Sequence, residues 1–208
     1  MIAVLAGSTG LVGGYVKRLA GDGCLALVRR NPGPGDRLVD YGNLEASLGD
    51  QLRPQRIYCA LGTTIRKAGS QAAFRQVDFE YPMALARWAK LQGCTDFRLV
   101  SSVGADSHSS NFYLKTKGEL EDALAALNFA QLQIFRPGVL LGHRQESRPG
   151  ESIGKALSVL LGPLLIGGLA KYRATPAEAV ARAMVQAPAS NGVKLWHTPE
   201  ILAFADSK

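Results

Sequence analysis

The feature that most constrains the fold is a glycine-spaced turn at the start of the chain. MIAVLAG, residues 1–7, is a short continuous apolar run, the pattern of a strand buried on both faces of a parallel sheet. It leads directly into Gly7-Ser8-Thr9-Gly10-Leu11-Val12-Gly13, after which Leu11 to Leu19 follows helical periodicity. In such a unit the first glycine permits a tight turn and the second lets the backbone approach a pyrophosphate. The third lets helix and strand pack closely. Backbone N–H groups and the helix dipole then attract the anion. The spacing is G-x-x-G-x-x-G, not G-x-G-x-x-G, so the position between strand and helix carries the reading. It predicts a dinucleotide-binding turn.

The rest of the chain repeats the alternation. Strands are expected at CLALVRR (24–30), RLVD (37–40), RIYCALG (56–62), FRLVSSVG (97–104) and LQIFRPGVL (132–140). Helices are expected at Leu44 to Leu52, Ala72 to Gln92, Asn111 to Leu127 and Thr175 to Gln186. Pro82 predicts a break or kink near Glu80, and Ser109 or Ser110 is available as an N-cap for the Asn111 helix. Alternating strands and helices predict an α/β, three-layer Rossmann fold, a doubly wound and mainly parallel sheet with helices on both faces. One domain spans 1–208. The segment from His143 to Arg173 breaks the alternation and is expected to be a small substrate-covering region.

Which cofactor binds is read at the end of the second strand. An NAD-selective site places a carboxylate there to hold the ribose 2′-hydroxyl. This chain has Arg29 and Arg30 instead, and guanidinium offers charge-assisted, bidentate contacts to a 2′-phosphate. The expectation is NADP(H). Tyr113 and Lys117 form Y-x-x-x-K on the helix after the fifth strand, whose end carries Ser101-Ser102. Residues four apart share a helical face. There the Lys117 ammonium can stabilise a Tyr113 phenolate, so that Tyr113 donates or accepts a proton at a carbonyl or alcohol. Ser102 can hydrogen-bond the same substrate oxygen.

Composition bounds the alternatives. The 208 residues are 47% hydrophobic and 20% charged, as in an ordinary globular domain. A net charge of +7 admits nucleic acid, but the basic residues are scattered and not interleaved with aromatics, so none is expected. No basic leader precedes the first strand, and the longest apolar stretch, Ala156 to Leu169, is interrupted by Gly162-Pro163. No secretory signal, no membrane association and a cytoplasmic location are therefore expected. Cys24, Cys59 and Cys94 lack metal or disulfide spacing and read as reduced core thiols. A P-loop and a G-x-S-x-G elbow are both missing.

Taken together these residues resemble the short-chain dehydrogenase/reductase superfamily, specifically its atypical single-domain members. CALGTTIRKAGSQAAFRQVDFEYP (59–82), SSVGADSHSSNFYLKTKGELE (101–121) and FRPGVLLGHRQESRPGE (135–151) look closer still to the Tat-interacting-protein oxidoreductase family. The resemblance implies NADP(H) bound by a Rossmann fold and a catalytic set of Ser102, Tyr113 and Lys117. It places Gly7, Ser8, Thr9, Gly10, Leu11 and Val12 along the pyrophosphate, Arg29 and Arg30 at the 2′-phosphate, and Asp40 by the adenine. Leu61, Gly62 and Thr63 would flank the adenosine ribose and the central part of the cofactor. Ser101 and the Arg136-Pro137-Gly138-Val139 run would lie beside the cofactor, the latter at the nicotinamide. Arg148 would meet an anionic substrate or form a purely structural salt bridge. Where many relatives carry a proton-relay asparagine this chain has Asp78. Roles that depend on the N-terminal extension of some relatives are not carried over.

Two functions follow. One is an NADPH-dependent reductase of a small carbonyl substrate, which the Tyr113/Lys117 pair favours. The other is an NADP(H)-sensing regulator that binds a partner protein without turnover. A homodimer or a regulatory protein partner is compatible with either.

Overall fold

The computed structural model describes residues 2–142 and 167–205. Its strands, in chain order, are β1 (Ala3–Ala6), β2 (Cys24–Val28), β3 (Asp36–Leu38), β4 (Arg56–Cys59) and β5 (Asp96–Val100), then β6 (Gln131–Arg136), β7 (Leu140–Leu141), β8 (Thr175–Pro176) and β9 (Gly192–His197). Seven form one sheet in the order β3-β2-β1-β4-β5-β6-β9, every neighbouring pair parallel. That is the 3-2-1-4-5-6 order of a doubly wound dinucleotide fold, extended by one strand. β7 and β8 form a separate parallel pair.

Period-two alternation along the strands assigns the two faces. Val4, Ala6, Ile57, Cys59, Phe97, Leu99, Leu132 and Ile134 join one core. It is closed by α2 (Leu44–Leu48), α5 (Tyr81–Leu91) and α6 (Phe112–Ala126). Leu5, Tyr58 and Phe135 point the other way, against α1 (Leu11–Ala20) and α7 (Ala177–Gln186). A sheet covered on both faces leaves its carboxyl edge as the place for a site, and the strand order reverses there between β1 and β4.

Three outcomes of the sequence expectations have physical causes. Pro82 distorts its helix up to Glu80 without breaking it. The chain runs through α4 (Gln71–Arg75), a π-helical turn at Gln76–Glu80 and α5. Proline lacks an N–H and crowds the carbonyl four residues back. The preceding turn widens instead, with the Tyr81 N–H donating to the Gln76 carbonyl. The cap of α6 is Asn111, whose side chain accepts from the Leu114 N–H at 3.1 Å, not Ser109 or Ser110. β9 was not expected: as an edge strand with Val193 53% exposed, GVKLWH lacks the continuous apolar run that marks the central strands. Two short helices, α3 (Ile65–Ala68) and α8 (Thr198–Leu202), complete the described elements. Of the expected substrate cover, 143–166 lies outside the described residues, and Gly167–Tyr172 is a 3₁₀ segment.

Candidate active site

At the cofactor end the glycine turn does what its position requires. Gly7 has φ +92°, and a Cβ there would lie 2.4 Å from the Ala60 carbonyl oxygen at the end of β4. A Cβ on Gly13 would lie 2.1 Å from the Gly7 carbonyl oxygen, so helix and turn meet backbone to backbone. The Gly10 N–H donates to the Gly7 carbonyl at 2.9 Å. Gly10 is the N-cap of α1, and no side chain caps the helix. Thr9 and Gly10 are exposed and Ser8 is buried. Val12 faces the core and Leu11 packs at its margin. These residues fit a pyrophosphate through open N–H groups at a helix start.

Arg29 and Arg30 stand exposed just past β2, with no carboxylate at that strand end. The Arg29 guanidinium lies 5.6 Å above the Tyr81 ring, which stacks on Tyr41 at 5.1 Å. Asp40 is two residues beyond β3, not at its end, and its carboxylate accepts from the Gly42 N–H at 2.8 Å. Leu61, Gly62 and Thr63 follow β4 at the reversal point. The Thr63 N–H donates to the buried Asp78 carboxylate at 2.8 Å.

Tyr113 and Lys117 lie on α6. Tyr113 is half-buried, its ring centroid 5.8 Å from that of Phe74. Lys117 is 4% exposed, and its Nζ is 2.7 Å from Asp78 Oδ1, itself fully buried. Burial alone would push the ammonium below the ordinary lysine range. Asp78, with smaller help from Tyr113 and Cys59, outweighs burial and holds it above that range. A Cβ on Gly62 would be 3.9 Å from Lys117 Nζ, so the loop after β4 abuts the lysine. The loop carrying Ser102 presses on α6 at Gly118, where a Cβ would lie 2.2 Å from the Asp106 carbonyl carbon. The Ser102 hydroxyl is half-buried and contacts only the Val103 carbonyl, at 3.3 Å, among the described bonds.

Glu121 is the residue the motifs do not single out. It stands four positions after Lys117 on α6, and its buried carboxylate binds both the Ser101 hydroxyl and the Arg136 guanidinium. Ser101 and Arg136 are therefore tied to each other through α6. The signal was available as Y-x-x-x-K-x-x-x-E, one helical stripe. His197 lies beside Arg136 in the β6–β9 register. Burial first, then the charges of Arg136 and Lys171, hold it below the ordinary histidine value. Pro137 is buried and its carbonyl accepts from the Val103 N–H at 2.9 Å. The Gly138 N–H donates to the Thr198 hydroxyl at 3.0 Å, and Val139 is exposed. Arg148 lies outside the described residues. No cluster of three or more His, Cys, Asp or Glu side chains suited to a metal occurs among the described residues. No described helix is long and apolar enough to cross a membrane.

No protein-family profile matches the chain. Individual relatives do. The rat protein HTATIP2 is 44% identical over 148 residues, which cover 70% of this chain and 59% of the rat protein. The chain thus spans well under two thirds of that relative's length. Protein FMP52, mitochondrial, of Meyerozyma guilliermondii is 39% identical over 71% of this chain and 68% of that protein. The Aspergillus niger protein of the same name is 33% identical over 88% of this chain and 85% of its own length. Among solved structures, a UDP-glucose 4-epimerase of Thermotoga maritima aligns with TM-score 0.69 at 15% identity, over 95% of this chain and 77% of that one. Human epimerase family protein SDR39U1, solved with NADPH, aligns with TM-score 0.64 at 18% identity, over 96% and 75%. Identities this low establish the fold alone. The names of the fungal relatives overturn the cytoplasmic expectation. That expectation rested on the lack of a secretory leader and of a membrane span, and neither decides between the cytoplasm and an organelle.

Proposed function

Because the chain belongs to the family of proteins that includes HTATIP2 and FMP52, atypical members of the short-chain dehydrogenase/reductase superfamily, we propose that it is an NADPH-dependent reductase of a small carbonyl compound. The observation that carries this reading is the pairing of Tyr113 with a charged, buried Lys117 on α6, directly beside the loop at the sheet's reversal point.

The α1 N-terminus and the turn from Gly7 hold the pyrophosphate, and Arg29 and Arg30 hold the 2′-phosphate. Leu61 to Thr63 and the Pro137–Val139 run flank the rest of the cofactor. A bound reduced nicotinamide supplies the hydride. Tyr113 donates its hydroxyl proton to the substrate oxygen, and the Lys117 ammonium stabilises the phenolate left behind. Ser102 turns its hydroxyl from the Val103 carbonyl to the same oxygen. Ser101 and Arg136 act indirectly, through Glu121, by fixing the ends of β5 and β6 against α6. Arg148 is assigned to an anionic portion of the substrate.

The test is NADPH consumption against a panel of aldehydes and ketones. Tyr113→Phe should lower kcat by about 10²–10⁴-fold, the usual weight of a positioned general acid, with NADPH affinity kept. Unchanged turnover in that variant removes Tyr113 as the acid. Tight NADPH binding with no turnover of any substrate by the wild type would move the assignment to a cofactor sensor. For cofactor choice, Arg29→Ala combined with Arg30→Ala should weaken NADPH far more than NADH. Equal weakening would sink the 2′-phosphate assignment.

A further inference from the structure

Asp78 belongs to no motif that carries the proposed reaction, yet its carboxylate is fully buried at the sheet's carboxyl edge. It sits in the π-helical turn Gln76–Glu80, a distortion frequent at functional sites. Its two oxygens are divided: Oδ1 faces Lys117 Nζ at 2.7 Å, and Oδ2 accepts from the Thr63 N–H at 2.8 Å. One side chain therefore joins the loop after β4 to the helix that carries Tyr113.

We propose that Asp78 is a positioning residue that locks the Lys117 ammonium to the cofactor-side loop and supplies its only buried counter-charge among the described residues. The proposal rests on the reductase reading for its kinetic consequence, but not for its physical one. Lys117 is enclosed by β4, the π turn and α6, and the titratable groups facing it are Asp78, Tyr113 and Cys59. Asp78 is the largest of the influences that oppose burial, so it carries most of the offset to the cost of burying the ammonium. An amide at position 78 keeps the bond to the Thr63 N–H and loses the charge. The lysine then meets burial largely unopposed and gives up its proton at a lower pH. A neutral amine stabilises a phenolate poorly, so the proton leaves Tyr113 less readily.

Four proteins test this: wild type, Asp78→Asn, Lys117→Met and the double variant. The readouts are NADPH affinity by fluorescence, kcat for a carbonyl, and the protonation of Lys117 followed by NMR of isotope-labelled lysine. Asp78→Asn should leave NADPH affinity nearly intact and lower kcat by about 10–100-fold, as expected when a catalytic group is misplaced. It should also move the Lys117 titration down. In the Lys117→Met background the same substitution should change kcat little, because the aspartate acts through the lysine. Equal losses in both backgrounds, or an unmoved Lys117 titration, would overturn the proposal. If Asp78→Asn does not fold, stability decides: the double variant has no unpaired buried charge and should fold where the single one does not. A double variant no more stable than Asp78→Asn refutes the coupling. A wild type that turns over no carbonyl would sink the reductase reading alone, since the titration and the folding comparison still judge Asp78.

Discussion

Among the described buried carboxylate–cation clusters, the one at Asp96 on the amino edge and the one at Asp78 on the carboxyl edge are finished differently. At the amino edge Asp96 receives Arg98 through Nε at 3.1 Å and Nη2 at 3.0 Å, and Arg56 through Nε at 2.6 Å. Arg98 spends Nη1 on the Met184 carbonyl at 2.6 Å, and Arg56 reaches the Tyr58 hydroxyl at 3.3 Å. Both guanidiniums have more than one donor engaged: Arg98 ties β5 to α7 through Met184, and Arg56 ties β4 to β5. At the carboxyl edge Asp78 receives one ammonium and one backbone N–H. An ammonium has three donors, and the described carboxylate occupies one side of it. A cluster saturated by arginine ties elements together; a lysine pair keeps donors in reserve for a ligand. The difference sets the Lys117–Asp78 pair apart from the arginine clusters at Asp96 and at Glu121.

Removing a partner at the amino edge should have the largest effect. Arg98→Met leaves Asp96 under-compensated and strips the Met184 carbonyl of its donor. A loss of about 3–5 kcal/mol is expected, read from urea denaturation, with NADPH affinity of the folded protein unchanged. A loss below about 1 kcal/mol, within the range of a surface pair, would erase the contrast between the edges.

A smaller effect concerns pH. Lys117 is held above the ordinary lysine range when folded, so its contribution to stability is complete below the unfolded value of about 10.4. It is lost as pH rises through the folded value. The wild type and the Asp78→Asn/Lys117→Met double variant should therefore keep a constant stability difference from pH 7 to about 10, and the wild type should fall relative to the double variant above that. A difference that already drifts near neutrality would mean that Lys117 is not held as an ammonium.

The smallest effect sharpens the comparison with reporters that the chain already has. Cys59 lies beside the Lys117–Asp78 pair and Cys94 beside Asp96, and burial pushes each thiol up to about 11. Neither should react with a thiol reagent at pH 8 in the folded protein. Fast labelling of Cys59 alone would reveal a carboxyl edge that opens on its own.

Much of this was legible in the chain, and the limits follow from how each part is encoded. The glycine turn, the central strands and the Tyr113/Lys117 stripe are local patterns, set by steric limits and helical spacing within a few residues. Asp78 was visible only as a departure from an expected asparagine; its partner stands 39 positions away on another helix, and no spacing rule links them. Glu121 was readable from its stripe, but its hold on Ser101 and Arg136 joins the ends of two strands. β9 escaped because an edge strand need not be apolar on both faces.

By itself, then, the sequence determined the α/β class, the glycine-spaced turn between β1 and α1, the arginines at the second strand and the face shared by Tyr113 and Lys117, because short-range sterics and periodicity decide these. Only the tertiary structure decided that Lys117 is buried against Asp78, that Asp78 also holds Thr63, and that Ser101 and Arg136 are tied through Glu121. Those are contests between burial and charge, and their outcome depends on which distant groups the fold brings within a few ångströms.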